Sequence, residues 1–300
     1  MKSLIINLLT LSLVLSGCEV SYKKSHIEGA NVVTLGIFLN AKVCLEGAYS
    51  SDSPLTMTTN LNSLNLLPIS TPYLSSAPWY HLSSHDQVLS PDVLALGFFV
   101  DWVVVEVFQY EGGSYVLKDS QSALLKSDGT LYDTLGYPGL SFPSLLAGNY
   151  YINILSRNHL SVASANPVSL SGSFDETIYN IDFTSQLTSY LDEGTLAPHT
   201  LPATTTGTAK CLLAGDTNGD LMIRSSLVLG APVPDGYKLR QDLDNAIASS
   251  FPDNISIVCY FSTDTNLNGE IQQYNDHPGT IPETDFNFIL INDGKDGSTY

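Results

Sequence analysis

The sequence is poor in charged residues, and basic residues are the scarcest of them. Only 14% of the 300 residues are charged, and 12 Lys and Arg stand against 30 Asp and Glu, which gives a formal net charge of -18 at pH 7. A chain this acidic, with no basic stripe, has nothing with which to neutralise phosphates, and this argues against nucleic acid as a partner. Bound cations, in contrast, would offset the repulsion among clustered carboxylates.

Common catalytic motifs are absent as well. The sequence has no Gly-x-Ser-x-Gly, no phosphate-binding loop and no Cys-x-x-Cys pair. Asp101 and Glu106 lie five positions apart in one predicted strand, so their side chains point to opposite faces and cannot act as an acid and base pair. His159 follows a predicted turn, where histidine usually makes a backbone hydrogen bond. We therefore expect no enzymatic activity.

Long apolar runs are missing, apart from a short one at the N-terminus. The basic start Met1–Ser3 precedes the apolar run Leu4–Leu15, which is too short for a comfortable membrane span. It leads into Leu15–Cys18 (LSGC), the pattern at which bacterial lipoproteins are cleaved and acylated. Residues 1–18 are therefore predicted to be a lipoprotein signal peptide. The alternatives are an ordinary signal peptide and a short membrane helix.

The predicted anchor places the protein on a membrane surface. Acylation of Cys18 would insert lipid into the membrane, and Glu19 is not the Asp that retains some lipoproteins at the inner membrane. We expect a lipid-anchored protein of the outer membrane or cell surface, in which residues 19–31 form a polar tether.

Short β-strand patterns dominate residues 32–205. Phe98–Phe108 is β-branched or aromatic almost throughout, as in a buried central strand. Glu111–Ser114 and Lys126–Thr130 carry hairpin turn signals. These features predict a mostly β fold, an antiparallel, jelly-roll-like β-sandwich.

The longest connection in this region, 50–91, is rich in aromatic residues. Tyr73, Trp79, Tyr80 and His81 could stack on a sugar ring. Alternatively, the aromatic side chains hold the loop against the sandwich.

Two acidic stretches near the C-terminus look like copies of one another. Residues 216–223 (DTNGDLMI) and 264–271 (DTNLNGEI) each follow a cysteine by five positions. Oxygen ligands at positions 1, 3 and 5 of a tight turn suit Ca²⁺. Residues 206–300 are therefore predicted to form a small EF-hand-like calcium module. The predicted ligands are Asp216, Asn218, Asp220 and Asp242 in the first copy, and Asp264, Asn266, Asn268, Glu270, Asn275 and Asp285 in the second.

The two copies differ in how well they match a calcium loop. The first has Leu221 where the turn calls for Gly, whereas the second has Gly269 there. Each continues into a predicted helix start, where Asp242 or Asp285 would cap the helix and complete the metal shell. The alternative is that both stretches are only turns, which Asn and Asp favour by themselves.

Three cysteines remain beside Cys18. Cys211 and Cys259 occupy matched positions ahead of the two loops, so in an oxidising compartment they could form a disulfide that joins the repeats. Cys44 would then be the odd thiol. The alternative is that Cys211 and Cys259 are small buried apolar residues.

A series of motifs extends over roughly residues 41 to 223. The motifs are Val43–Tyr49 (VCLEGAY), Met57–Leu61 (MTTNL), Ala77–Tyr80 (APWY), Val100–Glu106 (VDWVVVE), Arg157–Val162 (RNHLSV), Tyr179–Thr184 (YNIDFT) and Ala214–Asp216 (AGD). In these motifs and their order the sequence resembles a family of haemagglutinin-like surface and secreted proteins of gliding-type Gram-negative bacteria. The departures are Ser156, where the family often has His, and the irregular first loop.

This resemblance implies a β-sandwich followed by a dockerin-like calcium repeat, with no established catalytic activity. The expected function is that of a lipid-anchored surface protein for binding or adhesion, partnered with a surface protein or glycan. The alternatives are a glycan-binding or glycan-processing component of a surface polysaccharide uptake system, and a structural module that docks on a partner protein.

Overall fold

The chain folds mainly into short β-strands arranged around one long hairpin. The structure, a computed structural model, describes residues 36–52, 54–73, 89, 91–173, 175, 177–185, 199–200, 209–226, 229–249, 257–258, 262–268, 270–271 and 284–297. The strands are β1 (Ile37–Leu39), β2 (Ala41–Lys42), β3 (Tyr49–Asp52), β4 (Leu55–Met57), β5 (Phe99–Glu111), β6 (Ser114–Lys126), β7 (Leu131–Tyr132), β8 (Leu140–Phe142), β9 (Gly148–Leu155), β10 (Val162–Ala163), β11 (Val168–Leu170), β12 (Ile181–Asp182), β13 (His199–Thr200), β14 (Lys210–Cys211), β15 (Ile257–Val258) and β16 (Glu270–Ile271).

Among the described residues, helices are few, and only the helix Asp235–Ser249 is longer than seven residues. No helix within the described residues is both long and apolar enough to cross a membrane. A 3-10 helix spans Glu46–Ala48, and the α-helices are α1 (Asn60–Ser63), α2 (Pro91–Leu94), α3 (Asp235–Ser249) and α4 (Asp285–Ile291).

The long hairpin consists of β5 and β6, which pair antiparallel from Phe99 to Glu111 with two irregularities in register. Gly112 and Gly113 form its turn with φ angles of 59° and 95°, which glycine adopts without a steric penalty. The strand and turn predicted for this stretch are confirmed.

A six-stranded sheet grows on both sides of this hairpin. Strand β9 pairs antiparallel with β5, and β10 and β11 both pair with β9, while β7 pairs with β6. The smaller pairs are antiparallel too, except that β2 and β12 run parallel. The predicted mostly β, antiparallel fold is confirmed at this level.

The core lies along β5, because side chains on both of its faces are covered. Every residue from Phe99 to Phe108 is at most 7% exposed. Trp102 lies at the centre, where its indole Nε1 donates a hydrogen bond to the carbonyl of Pro68 at 2.9 Å. Burial of a large apolar side chain in such a run contributes about 1.5–3 kcal/mol.

The described part of the long connection packs on this core. Tyr73 is 1% exposed and its hydroxyl donates to the carbonyl of Trp102 at 2.8 Å. The prediction that Tyr73 contacts a ligand is therefore wrong, since its ring holds the loop against the sheet. Trp79, Tyr80 and His81 lie outside the described residues.

A disulfide ties the N-terminal part of the sheet region to the C-terminal segment. Cys44 is bonded to Cys211, with their Cα atoms 4.4 Å apart. The predicted pairing of Cys211 with Cys259 is therefore wrong. The reason is a parallel backbone contact in which the amide of Leu212 donates to the carbonyl of Cys44 at 2.8 Å. Cys259 lies outside the described residues.

The C-terminal segment has its own small apolar cluster and packs within the same compact unit as the sheet. Ile223, at position 8 of the first acidic stretch, is fully buried in this cluster. Phe286 of α4 packs on it half-buried. The cluster consists of Leu160, Leu213, Ile223, Leu239 and Ile289.

Candidate functional site

The first acidic stretch forms a tight loop around the side chain of Asp216. The Oδ1 atom of Asp216 accepts hydrogen bonds from the amides of Gly219 at 2.9 Å and Asp220 at 3.2 Å, and Oδ2 accepts from the amide of Leu221 at 3.1 Å. Asn218 adds a second bond to the amide of Asp220 at 2.9 Å. The backbone is thereby wrapped around the carboxylate at position 1.

A second aspartate closes this loop from the start of a helix. Asp235, the first residue of α3, accepts through Oδ1 from the amides of Thr217 at 2.7 Å and Asn218 at 3.2 Å. Its Oδ2 accepts from the amide of Arg224 at 2.8 Å. Asp235 thus clamps the loop at both ends.

The sequence predicts that Asp242 caps this helix, and that part of the prediction is wrong. Helix α3 begins at Asp235, so Asp242 lies inside the helix. The carboxylate of Asp242 accepts instead from Nζ of Lys238 at 2.8 Å and from the hydroxyl of Thr263 at 3.0 Å.

The second acidic stretch repeats the same geometry. Asp264 Oδ1 and Asn266 Oδ1 both accept from the amide of Asn268, at 3.1 Å and 3.0 Å. Asp285 Oδ1 accepts from the amides of Thr265 at 2.6 Å and Asn266 at 3.2 Å. Each loop is therefore held by the aspartate that begins the following helix.

The predicted capping role of Asp285 needs a correction. The N-cap of α4 is Thr284, and Asp285 is the first helical residue. Its side chain therefore reaches back to the amides of the loop and does not cap its own helix.

Both loops use a left-handed residue at position 4, where Gly219 has a φ of 73° and Leu267 a φ of 55°. Leu221 at position 6 also has a positive φ, of 65°. The first loop thus makes the turn in spite of its missing glycine, at a backbone cost of about 1–2 kcal/mol.

Burial and mutual repulsion disturb the carboxylates of the first loop. Burial raises the pKa of Asp216 well above its ordinary value, and the charges of Asp235 and Asp220 raise it further. Burial also raises the pKa of Asp235 to about 6, although three backbone amides oppose the shift. Arg224 pairs with Asp220. The environment of the loop therefore disfavours the charged forms of Asp216 and Asp235.

The side chains of this loop offer carboxylate and amide oxygen atoms, which are the type of ligand that a hard cation such as Ca²⁺ prefers. Among the described residues, however, no group of three or more His, Cys, Asp or Glu side chains is gathered closely enough to hold a metal ion. Calcium at these loops therefore stays a prediction. Cys18 and Asn275, and the side chain of Glu270, lie outside what the structure describes.

Arg157, Asn158 and His159 connect the sheet to both loops. Arg157 forms a buried ion pair through Nε with Oδ2 of Asp101 in β5, at 2.8 Å. Asn158 donates through Nδ2 to the carbonyl of Asp264, and its own carbonyl accepts from the amide of Gly215 at 2.9 Å. One short segment thus contacts the sheet, the residue that precedes the first loop and the first residue of the second loop.

The prediction that His159 makes a hydrogen bond to the backbone is confirmed. Its Nε2 accepts a hydrogen bond from the amide of Gly47 at 3.1 Å, so Nδ1 carries the proton and donates to Asn158 Oδ1 at 2.7 Å. Burial, with a smaller contribution from the charge of Arg157, lowers the pKa of His159 to about 3. The imidazole is consequently neutral at physiological pH.

Glu46 and Gly47 form the opposite side of this junction. Glu46 Oε2 accepts from the amide of Ala214 at 3.0 Å and from Asn292 Nδ2 at 2.7 Å. A Cβ atom on Gly47 would lie 1.9 Å from the carbonyl oxygen of Thr265, so only glycine permits the second loop to approach. The sequence offered one signal for this junction, namely the polar residues in the motifs at 43–49 and 157–162.

Comparison with known proteins identified no family model, no curated protein and no solved structure that matches this chain. The resemblance to haemagglutinin-like proteins stays a prediction based on its motifs.

Proposed function

We propose that this chain is a lipid-anchored cell-surface protein with a binding or adhesive role and no enzymatic activity. In this proposal Cys18 is acylated and holds the protein at the outer membrane. Residues 32–205 form a β-sandwich, and residues 206–300 form a dockerin-like module stabilised by Ca²⁺.

The observation that carries the proposal is the pair of aspartate-centred loops. In both loops the aspartate at position 1 and the aspartate at the start of the next helix bind backbone amides of the same turn. Because the same arrangement of two aspartates occurs in two separate stretches, a shared function is favoured over two unrelated turns. Burial and the neighbouring carboxylates disfavour the charged form of Asp216, and a bound cation would offset that cost.

Residues from each loop and its helix would hold the ion. Calcium supplies positive charge among oxygen ligands, and here it would stabilise the folded loops and their attachment to the sheet. The candidate ligands are Asp216, Asn218, Asp220 and Asp235 in the first loop, and Asp264, Asn266, Asn268 and Asp285 in the second.

Calcium bound at the second loop would also stabilise the contacts that this loop makes with the sheet region through Asn158 and Gly47. Asn158 bonds directly to Asp264, and Gly47 lies against Thr265. Ordering of the second loop would therefore fix the junction with the sheet. This gives calcium a part in presenting the binding surface.

Thermal unfolding of the full-length chain, with and without calcium, tests the proposal. Extracellular calcium modules bind with dissociation constants of about 10⁻⁴ to 10⁻³ M. Calcium at about 10 mM should then stabilise the protein by about 1 to 3 kcal/mol per site and raise Tm by roughly 3 to 8 °C.

Matched variants locate the effect. Asp264→Asn and Asp216→Asn keep a hydrogen-bonding oxygen but remove the charge, so each should lose part of the calcium response. Asp175 makes a similar turn, accepting from the amide of Thr177 at 2.9 Å, and Asp175→Asn should respond like the wild type. If calcium leaves the Tm of the wild type unchanged, neither loop binds calcium and both are only turns.

A further inference from the structure

The hairpin tip of the sheet carries a cluster of exposed tyrosines. Tyr110 of β5 lies directly opposite Tyr115 of β6, and their ring centroids are 5.1 Å apart. The ring of Tyr115 also meets that of Tyr151 in β9, at 5.0 Å and with an interplanar angle of 85°. Three neighbouring strands therefore place three phenol rings on one face.

These tyrosines are not part of the core. Tyr110 is 57% exposed and Tyr115 is 37% exposed, whereas β5 is buried from Phe99 to Phe108. A Cβ atom on Gly112 or Gly113 would meet nothing within 4 Å, so the tip extends into open solvent. Large aromatic side chains left together on a surface commonly mark a binding site.

A concave notch lies beside the rings, between β5 and the paired strands β9 and β11. It is an open depression of about 260 Å³, lined by Gln109, Tyr110, Glu111, Asn149, Tyr151 and Pro167.

The charge of this notch favours a neutral ligand. Glu111 carries the only charge among the six lining residues, and its Oε2 is paired with Nζ of Lys118 at 2.8 Å. An anionic ligand would meet the carboxylate of Glu111 and the field of a chain with a net charge of -18. The polar groups that remain are amides and phenols, which both donate and accept hydrogen bonds.

We infer that the tyrosine notch formed by Tyr110, Tyr151, Gln109 and Asn149 binds a neutral sugar unit of a glycan. The C–H bonds of a pyranose ring carry partial positive charge and meet the electron-rich face of an aromatic ring. Its hydroxyls bind the amide of Asn149 and the phenols. This inference rests on the proposed binding role and supplies its ligand class.

The size of the notch favours a sugar over a protein as the ligand. A standard protein–protein interface involves roughly 20–30 residues on each side. This surface presents three rings and one notch, which match one or two sugar units of a longer chain. The tyrosine notch also differs from the predicted glycan contacts, of which Tyr73 is buried.

Retention on immobilised glycans tests the inference. The full-length chain, held in a detergent without a sugar headgroup, is run through gels that contain neutral polysaccharides (glucan, mannan, xylan, galactan) or acidic ones (alginate, pectate). We expect retention by at least one neutral polysaccharide and none by the acidic ones. Tyr110→Ala and Tyr151→Ala should each weaken binding about tenfold or more.

Two further variants test whether the loss of glycan binding is specific to the tyrosine notch. Tyr137 is 66% exposed elsewhere on the surface, so Tyr137→Ala is the matched control and should bind like the wild type. Tyr110→Phe keeps the ring and should retain most of the affinity. Tyr110 and Tyr137 are exposed, so Tm should stay within error for their variants, whereas Tyr151 is half-buried and the Tm of Tyr151→Ala serves as the check that its fold is retained.

Two results would overturn the inference. One is no retention of the wild type on any neutral polysaccharide, which would leave a protein partner for this surface. The other is equal retention of Tyr110→Ala, Tyr151→Ala and Tyr137→Ala. Calcium response is measured in parallel on the same samples, so retention without a calcium shift rejects the calcium loops alone, and a calcium shift without retention rejects the notch alone.

Discussion

The sheet region and the C-terminal loops are stabilised in different ways. In the sheet, two paired strands of 13 residues anchor the core, and the largely apolar stretch Phe99–Phe108 is buried on both of its faces. In the described C-terminal segment the strands have two residues each, and the apolar cluster is small. There the order comes from aspartate side chains that bind backbone amides. Polar interactions of this kind depend on pH and ions, whereas apolar burial does not.

The strongest link between the two regions is the disulfide, and breaking it should have the largest effect. Cys44 and Cys211 are separated by 167 positions, so the bond removes much of the entropy of the unfolded chain. The chain-entropy relation gives about 5 kcal/mol for a loop of this length. The double variant Cys44→Ala/Cys211→Ala should therefore lose about 3 to 5 kcal/mol in denaturant unfolding.

A thiol titration provides the control for this experiment. The unfolded wild type should show no free thiol from Cys44 before reduction. Detection of a free thiol at Cys44 in the oxidised protein would reject the bond and reinstate Cys259 as a partner for Cys211.

The ion pair of Arg157 and Asp101 is the next link to break. The side chains of these residues are 5% and 0% exposed, so Arg157→Ala leaves a buried carboxylate without its charged partner. Loss of one partner from such a pair costs about 3–5 kcal/mol. Lys118→Ala removes a comparable pair, but at 24% and 52% exposure, and should cost less than about 1 kcal/mol. Equal losses for the two variants in urea unfolding would contradict the burial of Arg157.

His159 at the junction and Asp235 at the first loop should change the free energy of unfolding in opposite directions as the pH falls. The pKa of His159 falls to about 3 on folding, so the unfolded chain binds the proton more tightly between pH 3 and 6.5. From pH 7 to pH 5 this histidine should remove about 2 kcal/mol of stability. The pKa of Asp235 rises to about 6, so its protonation over the same range should add about 1 kcal/mol.

Variants separate these opposite contributions. His159→Gln keeps an acceptor for the amide of Gly47 but cannot titrate, so the stability difference from the wild type should shrink as pH falls to 5. Asp235→Asn should show the reverse, with the difference growing at low pH in calcium-free buffer. Parallel pH profiles for either variant and the wild type would refute the assigned burial of that residue.

Local patterns were predictable from the sequence because their causes lie within a few residues. The apolar run at 98–108 and the glycines at 112 and 113 specify the central hairpin through side-chain alternation and turn geometry. The two Asp-Thr-Asn stretches specify similar turns, and Asp285 was correctly associated with the second loop. Asp235 was missed because Asp242 is an equally plausible helix start, and only the packing of α3 against the first loop distinguishes them.

What the sequence by itself determined is therefore the type of each local element: the β character, the hairpin turns and the duplicated aspartate loops. Only the tertiary structure decided the partners. Cys44 meets Cys211, and the segment 157–159 meets both loops, because distant parts of the backbone pair beside one another. Likewise, strand register brought Tyr110, Tyr115 and Tyr151 to one face. Such contacts depend on which surfaces the whole chain buries together, and no pattern within a short stretch contains that information.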